Sequence, residues 1–229
     1  MFRAKELALR AWLPLTAAAL VTLAAFFMLS AEKSAKEALL PPTSFIAVPP
    51  IHETDDGVAV PDASVSFSRA EEMYDVTGAN SAELSKAMQK DGPKNFWAYT
   101  NWSISWSHTT EAGGNGVCKL KDLVVTVNIK MSLPRWANAP DPGDARRQSW
   151  DEMIAALRKH EQGHANNGVR AANAVSSAIL AAPAQTSCEA FDGLIDRTSK
   201  EIVKAYRKAD KNYDRVTNHG DKTIPDLEW

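Results

Sequence analysis

A helical stretch of about thirty residues in the last third of the chain restricts the fold more than any other feature. Apolar residues at the start of residues 149–180 recur at spacings of three and four, which predicts an amphipathic helix: Trp150, Met153, Ile154 and Leu157. Pro183 breaks the chain after it. A second helix is predicted from about residue 188 to about residue 210, where apolar residues again recur on one side.

The first of these helices contains the segment His160-Glu161-Gln162-Gly163-His164, which is a HExxH motif. Residues four apart lie one turn apart on the same helix face, so both imidazoles can point at one ion. Neutral imidazole is a preferred ligand of Zn²⁺. Glu161 follows the first histidine, where it can act as a general base on a water molecule at the metal. The motif therefore predicts a zinc site of hydrolytic type.

A catalytic zinc ion usually has three protein ligands, and the motif supplies two. In metzincins the motif extends to a third histidine, but here Asn167 occupies the glycine slot and Arg170 the histidine slot. The third ligand must therefore come from another part of the chain. His52 is a poor choice because it lies in a proline-rich segment. The remaining candidates are His108, His219 and three carboxylates of the second predicted helix: Asp192, Asp196 and Glu201. Composition alone leaves the choice between His219 and an acid open.

The middle of the chain predicts a small sheet. Trp102, Ile104 and Trp106 alternate with serines, and a second alternating run occupies residues 123–131. This period of two is typical of half-buried strands, and the two runs are expected to pair as an antiparallel hairpin. The five tryptophans of residues 97–150 are interpreted as core packing rather than as a groove. The predicted fold class is α+β, a small antiparallel sheet packed on two long C-terminal helices.

The N-terminus carries a targeting signal. Arg3, Lys5 and Arg10 precede an uncharged run over residues 11–31, long enough to cross a bilayer as a helix. We expect residues 1–31 to be a signal anchor or signal peptide and residues 32–64 to be a proline-rich linker. Residues 65–229 form the predicted working domain, located in the periplasm or outside the cell.

The two cysteines, Cys118 and Cys188, agree with this location, because an oxidising compartment favours a disulfide between them. The net charge of -2 gives the chain no strongly basic character, so nucleic acid is not an expected partner.

These features together resemble a known family, the bacterial proteins described as predicted secreted zinc-dependent proteases. The resemblance covers roughly residues 72–221. It rests on the following motifs: Tyr74-Asp75-Val76-Thr77-Gly78, Asp91-Gly92-Pro93, Ala98-Tyr99-Thr100 with Trp102 and Trp106, Leu133-Pro134 with Trp136, the HEQGH core, and Tyr213-Asp214 followed by Thr217-Asn218-His219-Gly220.

The resemblance implies a zincin-like domain in which Cys118 is paired with Cys188. It also singles out the closing Tyr-Asp-x-x-Thr-x-His-Gly segment, and so implies His219 as the third zinc ligand. Tyr213 is then a candidate donor to the oxyanion of a tetrahedral intermediate. Asp214 is a candidate for orienting a ligand histidine.

The expected function is hydrolysis of peptide bonds in a peptide or protein substrate, with Zn²⁺ as cofactor and the membrane contacted through the N-terminal helix. Two alternatives remain at this stage. The chain could be an envelope protein with structural or vestigial zinc that binds a partner. It could also hydrolyse non-peptide amides, because the motif specifies the reaction centre and not the cleft.

Overall fold

A computed structural model describes residues 64–114 and 116–229 of the chain. In these residues the chain folds into three strands and three α-helices, an α+β arrangement. The predicted membrane segment, residues 11–31, and residues 32–63 of the predicted linker lie outside this part. Within it, no helix is long and apolar enough to span a membrane.

The sheet has the strand order β1-β3-β2, where β1 is Val65–Val76, β2 is Tyr99–Ala112 and β3 is Cys118–Trp136. The predicted hairpin is confirmed, because β2 and β3 pair antiparallel, with Trp102 opposite Ile129. The expectation of a wholly antiparallel sheet was wrong, since β1 pairs parallel with β3. Helix α1 (Ser81–Asp91) and strand β2 connect β1 to β3 and supply the long crossover that parallel neighbours need.

The core lies on one face of this sheet. Alternate residues of β3 are buried there, as the period of two in its sequence requires: Val125, Val127, Ile129, Met131 and Leu133. Residues of the opposite face, such as Asn128 and Lys130, are exposed. Three tryptophans predicted as core packing are buried, Trp102, Trp136 and Trp150.

Helix α1 begins with a capping box. The Asn80 side chain accepts a hydrogen bond from the Glu83 amide at 3.0 Å, and the Glu83 carboxylate accepts one from the Ala79 amide at 2.8 Å. A short 3₁₀ turn, Pro93–Asn95, leads from this helix into β2.

The two long helices are α2, Ala145–Leu180, and α3, Cys188–Thr217. Helix α2 packs against the sheet on one side and against α3 on the other. Its second half is accordingly buried nearly all round and is rich in alanine. Helix α3 runs seven residues beyond its predicted end and stops where Asn218 adopts a left-handed conformation, with φ 51°.

Candidate metal centre

The HExxH motif lies in the middle of α2, on the side where this helix meets α3. His160, Glu161 and His164 are 5%, 4% and 7% exposed. The two imidazole rings lie 5.0 Å apart between centroids, as the spacing of one helical turn requires. Buried imidazole groups need polar partners, and a carboxylate of α3 lies beside the Nε2 atoms of both histidines.

The closest partner from α3 is Asp214. Its Oδ1 atom lies 2.9 Å from Nε2 of His164 and 3.4 Å from Nε2 of His160. One ligand atom from each of these three residues lies within 4.8 Å of the others. Ligand atoms of a tetrahedral zinc site with bonds of about 2.1 Å lie about 3.4 Å apart, so the three side chains fit a zinc ion in both chemistry and spacing.

A second carboxylate of α3, Asp210, supports His164 from its other ring nitrogen. Its Oδ1 atom lies 2.9 Å from Nδ1 of His164 and accepts a hydrogen bond from the Asn167 amide at 2.9 Å. Its Oδ2 atom accepts from the indole of Trp102 at 3.1 Å. A metal-binding histidine commonly donates its second N–H to such a carboxylate. Asp210 therefore fixes the orientation of His164 and connects the site to β2.

The protonation states follow from these contacts. Burial acts to lower the pKa of His164, but the hydrogen bonds to Asp210 and Asp214 outweigh it and raise the pKa to about 10. Burial acts to raise the pKa of Asp214, yet hydrogen bonds from His160 and His164 hold it well below its ordinary value. A proton on His164 and a divalent cation would neutralise the same acids, so metal binding must displace that proton.

Glu161 lies beside this cluster in a low-dielectric environment. Its burial raises the pKa of the carboxyl group, although the nearby His164 and His160 oppose the shift. Its backbone carbonyl accepts a hydrogen bond from the Thr100 hydroxyl at 3.2 Å, which connects α2 to the start of β2. Among the described residues, the buried Oε2 atom of Glu161 has no hydrogen-bond partner. A buried carboxylate oxygen without a partner is unusual and is expected where a ligand or water completes the site.

Tyr213 contacts the same cluster from its far side. Its ring stacks on the His160 ring, with centroids 4.9 Å apart and planes 16° apart, and its hydroxyl donates to the His160 carbonyl at 3.3 Å. A Cβ atom at Gly163 would lie 2.5 Å from the Tyr213 Cζ atom, so glycine permits this approach. Tyr213 lines a smaller second cavity of about 240 Å³ rather than the cavity of the metal cluster. These contacts favour positioning of His160 over the predicted oxyanion role, which stays a prediction.

His219, the third ligand that the resemblance implies, lies just beyond the end of α3. Its Nδ1 atom is 3.7 Å from Asp214 Oδ1, its ring stacks on Phe96, and its side chain is 57% exposed. Of the described residues, only His160, His164 and Asp214 form a compact group of possible metal ligands. Asp214 thus takes the place expected for His219 beside the two histidines, and His219 lies at the rim.

The other sequence candidates that the structure describes lie away from the cluster. His52 is outside the described residues. His108 contacts Asp192 at 2.9 Å, Asp196 pairs with Lys200, and Glu201 pairs with Lys204. Asp192 and Glu201 are exposed and Asp196 is half exposed, as expected for a solvated helix face.

A cavity of about 450 Å³ opens onto the metal cluster. The segment that enters β2 forms one wall, and α3 with the residues after it forms another. Its polar lining includes Arg207 and Lys211, which sequence reasoning did not select. Arg207 and Lys211 are four residues apart, and Asp214 follows three residues later, so a helix places all three on one face. This spacing is the sequence feature that could have identified the two cations.

The predicted disulfide is confirmed and lies at the other end of the domain. Cys118 at the start of β3 is bonded to Cys188 at the start of α3. Cys118 also exchanges two backbone hydrogen bonds with Gln185, at 2.7 and 2.9 Å. The bridge therefore anchors the beginning of α3 to the sheet.

Comparison with known proteins assigns a family. No curated protein and no solved structure matches the chain. Residues 71–220 match the model of the family described as "Bacterial protein of unknown function (DUF922)". The match spans more than half of the 229 residues and includes both helices of the candidate metal centre. The chain therefore belongs to this bacterial DUF922 family.

Proposed function

We propose that the chain is a zinc-dependent peptidase. The observation that carries this proposal is the meeting of His160, His164 and Asp214 within 4.8 Å, with the buried Glu161 beside them and a cavity of about 450 Å³ in front. A structural metal site needs only ligands, whereas a hydrolytic site also needs a base and room for a substrate.

In this proposal His160 and His164 bind zinc through Nε2, and Asp214 is the third ligand. The short distances from Asp214 Oδ1 to both Nε2 atoms support this choice over His219. A His-His-carboxylate set leaves one coordination position open, as in other catalytic zinc sites. His219, with its exposed ring at the rim, remains available to contact a substrate.

Zinc, when bound, lowers the pKa of a coordinated water molecule to about 7 and polarises a carbonyl group. Glu161 accepts the proton of the attacking water and then donates it to the leaving amine. Its burial raises its pKa, which suits a group that must first take up a proton and then release it. Asp210 holds His164 in position throughout.

A peptide substrate is favoured by the resemblance to predicted secreted zinc-dependent proteases and by the shape of the cavity. The wall made by residues 96–100 includes the first residues of β2, an edge strand of the sheet. An extended peptide can align beside such a strand. Amides outside proteins present the same reacting carbonyl and are the nearest alternative substrates.

We further propose that the domain works in the periplasm or outside the cell. The Cys118–Cys188 disulfide supports an oxidising compartment. The basic and then uncharged N-terminal sequence supports export, with residues 11–31 as the anchor.

The test is a Glu161→Gln variant of the full chain, loaded with zinc and assayed on fluorescein-labelled casein. The variant keeps its metal, because Glu161 is not a ligand, but loses turnover by about 10²–10⁴-fold. Glu152→Gln, an exposed change on the same helix, is the matched control and keeps activity. Turnover at the wild-type rate in the Glu161→Gln variant would rule out the proposed base.

A further inference from the structure

Two cations of α3, Arg207 and Lys211, line the same cavity as the metal cluster. They are four residues apart, so they lie on one face of the helix, and Asp214 follows on that face three residues later. Cations are not zinc ligands, so the metal site does not account for them.

The guanidinium of Arg207 is held in a fixed orientation. It lies 3.5 Å from the ring centroid of Trp102 and donates a hydrogen bond to the Trp102 backbone carbonyl. A guanidinium carries five N–H donors in a fixed fork. The stacking thus leaves a rigid, half-buried donor group at the wall of the cavity.

Asp210 lies between these two cations in the sequence and attracts the Arg207 guanidinium. Asp210, the nearest carboxylate in the helix, already accepts hydrogen bonds from His164, Asn167 and Trp102. Lys211 is exposed, and it forms no ion pair with any residue that the structure describes. Arg207 likewise forms no salt bridge with a residue that the structure describes, so both cations can still bind an anionic group in the cavity.

Acids line the cavity as well, and three of them, Glu161, Asp210 and Asp214, belong to the cluster or contact it. Asp221 and Asp226 follow the end of α3, and Asp221 accepts a hydrogen bond from the Asn218 amide. With a rise of about 1.5 Å per residue, Lys211 lies about 4.5 Å and Arg207 about 10 Å before Asp214 along the helix axis. Along the chain, the two cations therefore precede Asp214, and Asp221 and Asp226 follow it.

We propose that Arg207 and Lys211 form a carboxylate-binding subsite, so that the substrate carries a carboxylate a short distance from the scissile bond. Arginine binds a carboxylate through two parallel hydrogen bonds, and lysine adds a point charge. The carboxylate belongs to the C-terminus of a peptide or to an acidic side chain. As a statement about substrate, this rests on the proposed peptidase, but the subsite itself needs no metal.

The test measures peptide binding to the full chain after its metal has been removed with EDTA, by isothermal titration calorimetry. One pair of probes is acetyl-tetraalanine with a free C-terminal carboxylate and the same peptide as its amide. The other pair is acetyl-Ala-Glu-Ala-Ala amide and its glutamine counterpart. At least one carboxylate peptide binds about tenfold or more tightly than its neutral partner, as expected for a charge-assisted hydrogen bond.

Lys211→Gln and Arg207→Gln each reduce this preference to about threefold or less. Lys208→Gln changes an exposed lysine that does not line the cavity, and it keeps the full preference. Arg207 also connects α3 to β2, so the Arg207→Gln variant could fail to fold. In that case the peptide preference of Lys211→Gln alone tests the subsite. Preference in the first pair identifies a C-terminal carboxylate, and preference in the second pair identifies an acidic side chain.

Equal binding of charged and neutral peptides to the wild type would overturn the subsite. A preference that survives in both Lys211→Gln and Arg207→Gln would overturn it as well. Failure of the proposed peptidase gives a different result. In that case the chain binds no zinc, or Glu161→Gln does not change turnover, while the preference for carboxylate peptides persists.

Discussion

The Oδ1 atom of Asp210 lies 2.9 Å from Nδ1 of His164, on the opposite edge of the imidazole from Asp214. The ring of His164 is thus held between two carboxylates of one helix. Only one of these carboxylates, Asp214, also reaches His160. The geometry divides their roles: Asp214 shares the proposed metal and Asp210 orients its ligand.

Replacing Asp210 with asparagine removes the charge that orients His164 and keeps the size of the side chain. We expect zinc affinity to fall about 10–100-fold, the usual effect of losing such a carboxylate. Competition with a zinc chelator measures this. Asp196→Asn, an exposed change on the same helix, is the control and leaves affinity unchanged. Equal affinity in the Asp210 variant and the wild type would show that Asp210 does not support the metal site.

Zinc binding should release a proton from His164. Its pKa of about 10 in the metal-free fold lies above the ordinary value of about 6.5, so the ring is protonated at pH 7–8.5. Because zinc needs the neutral ring, apparent affinity rises with pH across this range, by up to about tenfold per unit. Calorimetry in buffers of different ionisation enthalpy counts the protons released, and at least one per zinc is expected.

The Asp210→Asn variant isolates this effect. It replaces one of the two charged acceptors that raise the pKa of His164 with a neutral one. The rise of zinc affinity between pH 7 and 8.5 should therefore be shallower in the variant than in the wild type. Identical slopes would mean that the proton displaced by zinc does not come from His164.

Gly163→Ala should destabilise the fold although alanine favours helices. The new Cβ atom would lie 2.5 Å from Cζ and Oη of Tyr213, whose ring is itself stacked on His160. We expect a loss of about 1–3 kcal/mol in the free energy of unfolding, measured by urea denaturation.

Gly193→Ala is the matched control in α3. Its Cβ atom would meet only the flexible end of Arg197, at 3.2 Å. This change should leave the free energy of unfolding unchanged or raise it by about 0.5–1 kcal/mol. If both variants lose the same stability, the contact between Gly163 and Tyr213 is not the cause.

Replacing both Cys118 and Cys188 with alanine should reduce stability without removing the metal site. The bridge joins residues 70 positions apart, and its loss costs about 4 kcal/mol in the chain-entropy model. Cys188 and Asp214 lie 26 residues apart on one helix, or about 39 Å. A lower melting temperature with unchanged zinc stoichiometry is expected. Loss of zinc from a variant that remains folded would contradict this separation.

The spacing of neighbouring apolar residues predicted the helices and strands that such spacing specifies. The three- and four-residue spacing around Trp150 predicted α2, and the alternation at Trp102 predicted β2 and its hairpin partner. The direction of β1 was missed, because alternation in a strand contains no information about which neighbour it pairs with or in which direction.

The sequence singles out Asp214 beside the histidines but does not predict that it lies within α3, for a related reason. The periodic apolar residues of α3 end at Tyr206. For this reason the sequence predicts that the helix ends near residue 210. Its last turns are held instead by polar contacts with α2, through Asp210 and Asp214. Because the helix continues, Asp214 falls on the same face as Asp210, toward the two histidines.

We propose that His160, His164 and Asp214 hold one zinc ion, and the zinc content of the full chain measures this. Metal analysis should find one zinc per wild-type chain and little or none in folded Asp214→Ala, whereas His219→Ala should keep its zinc. If the folded wild-type chain takes up no zinc when the metal is supplied, the proposed zinc site does not exist. So would an Asp214→Ala variant that keeps its zinc while His219→Ala loses it.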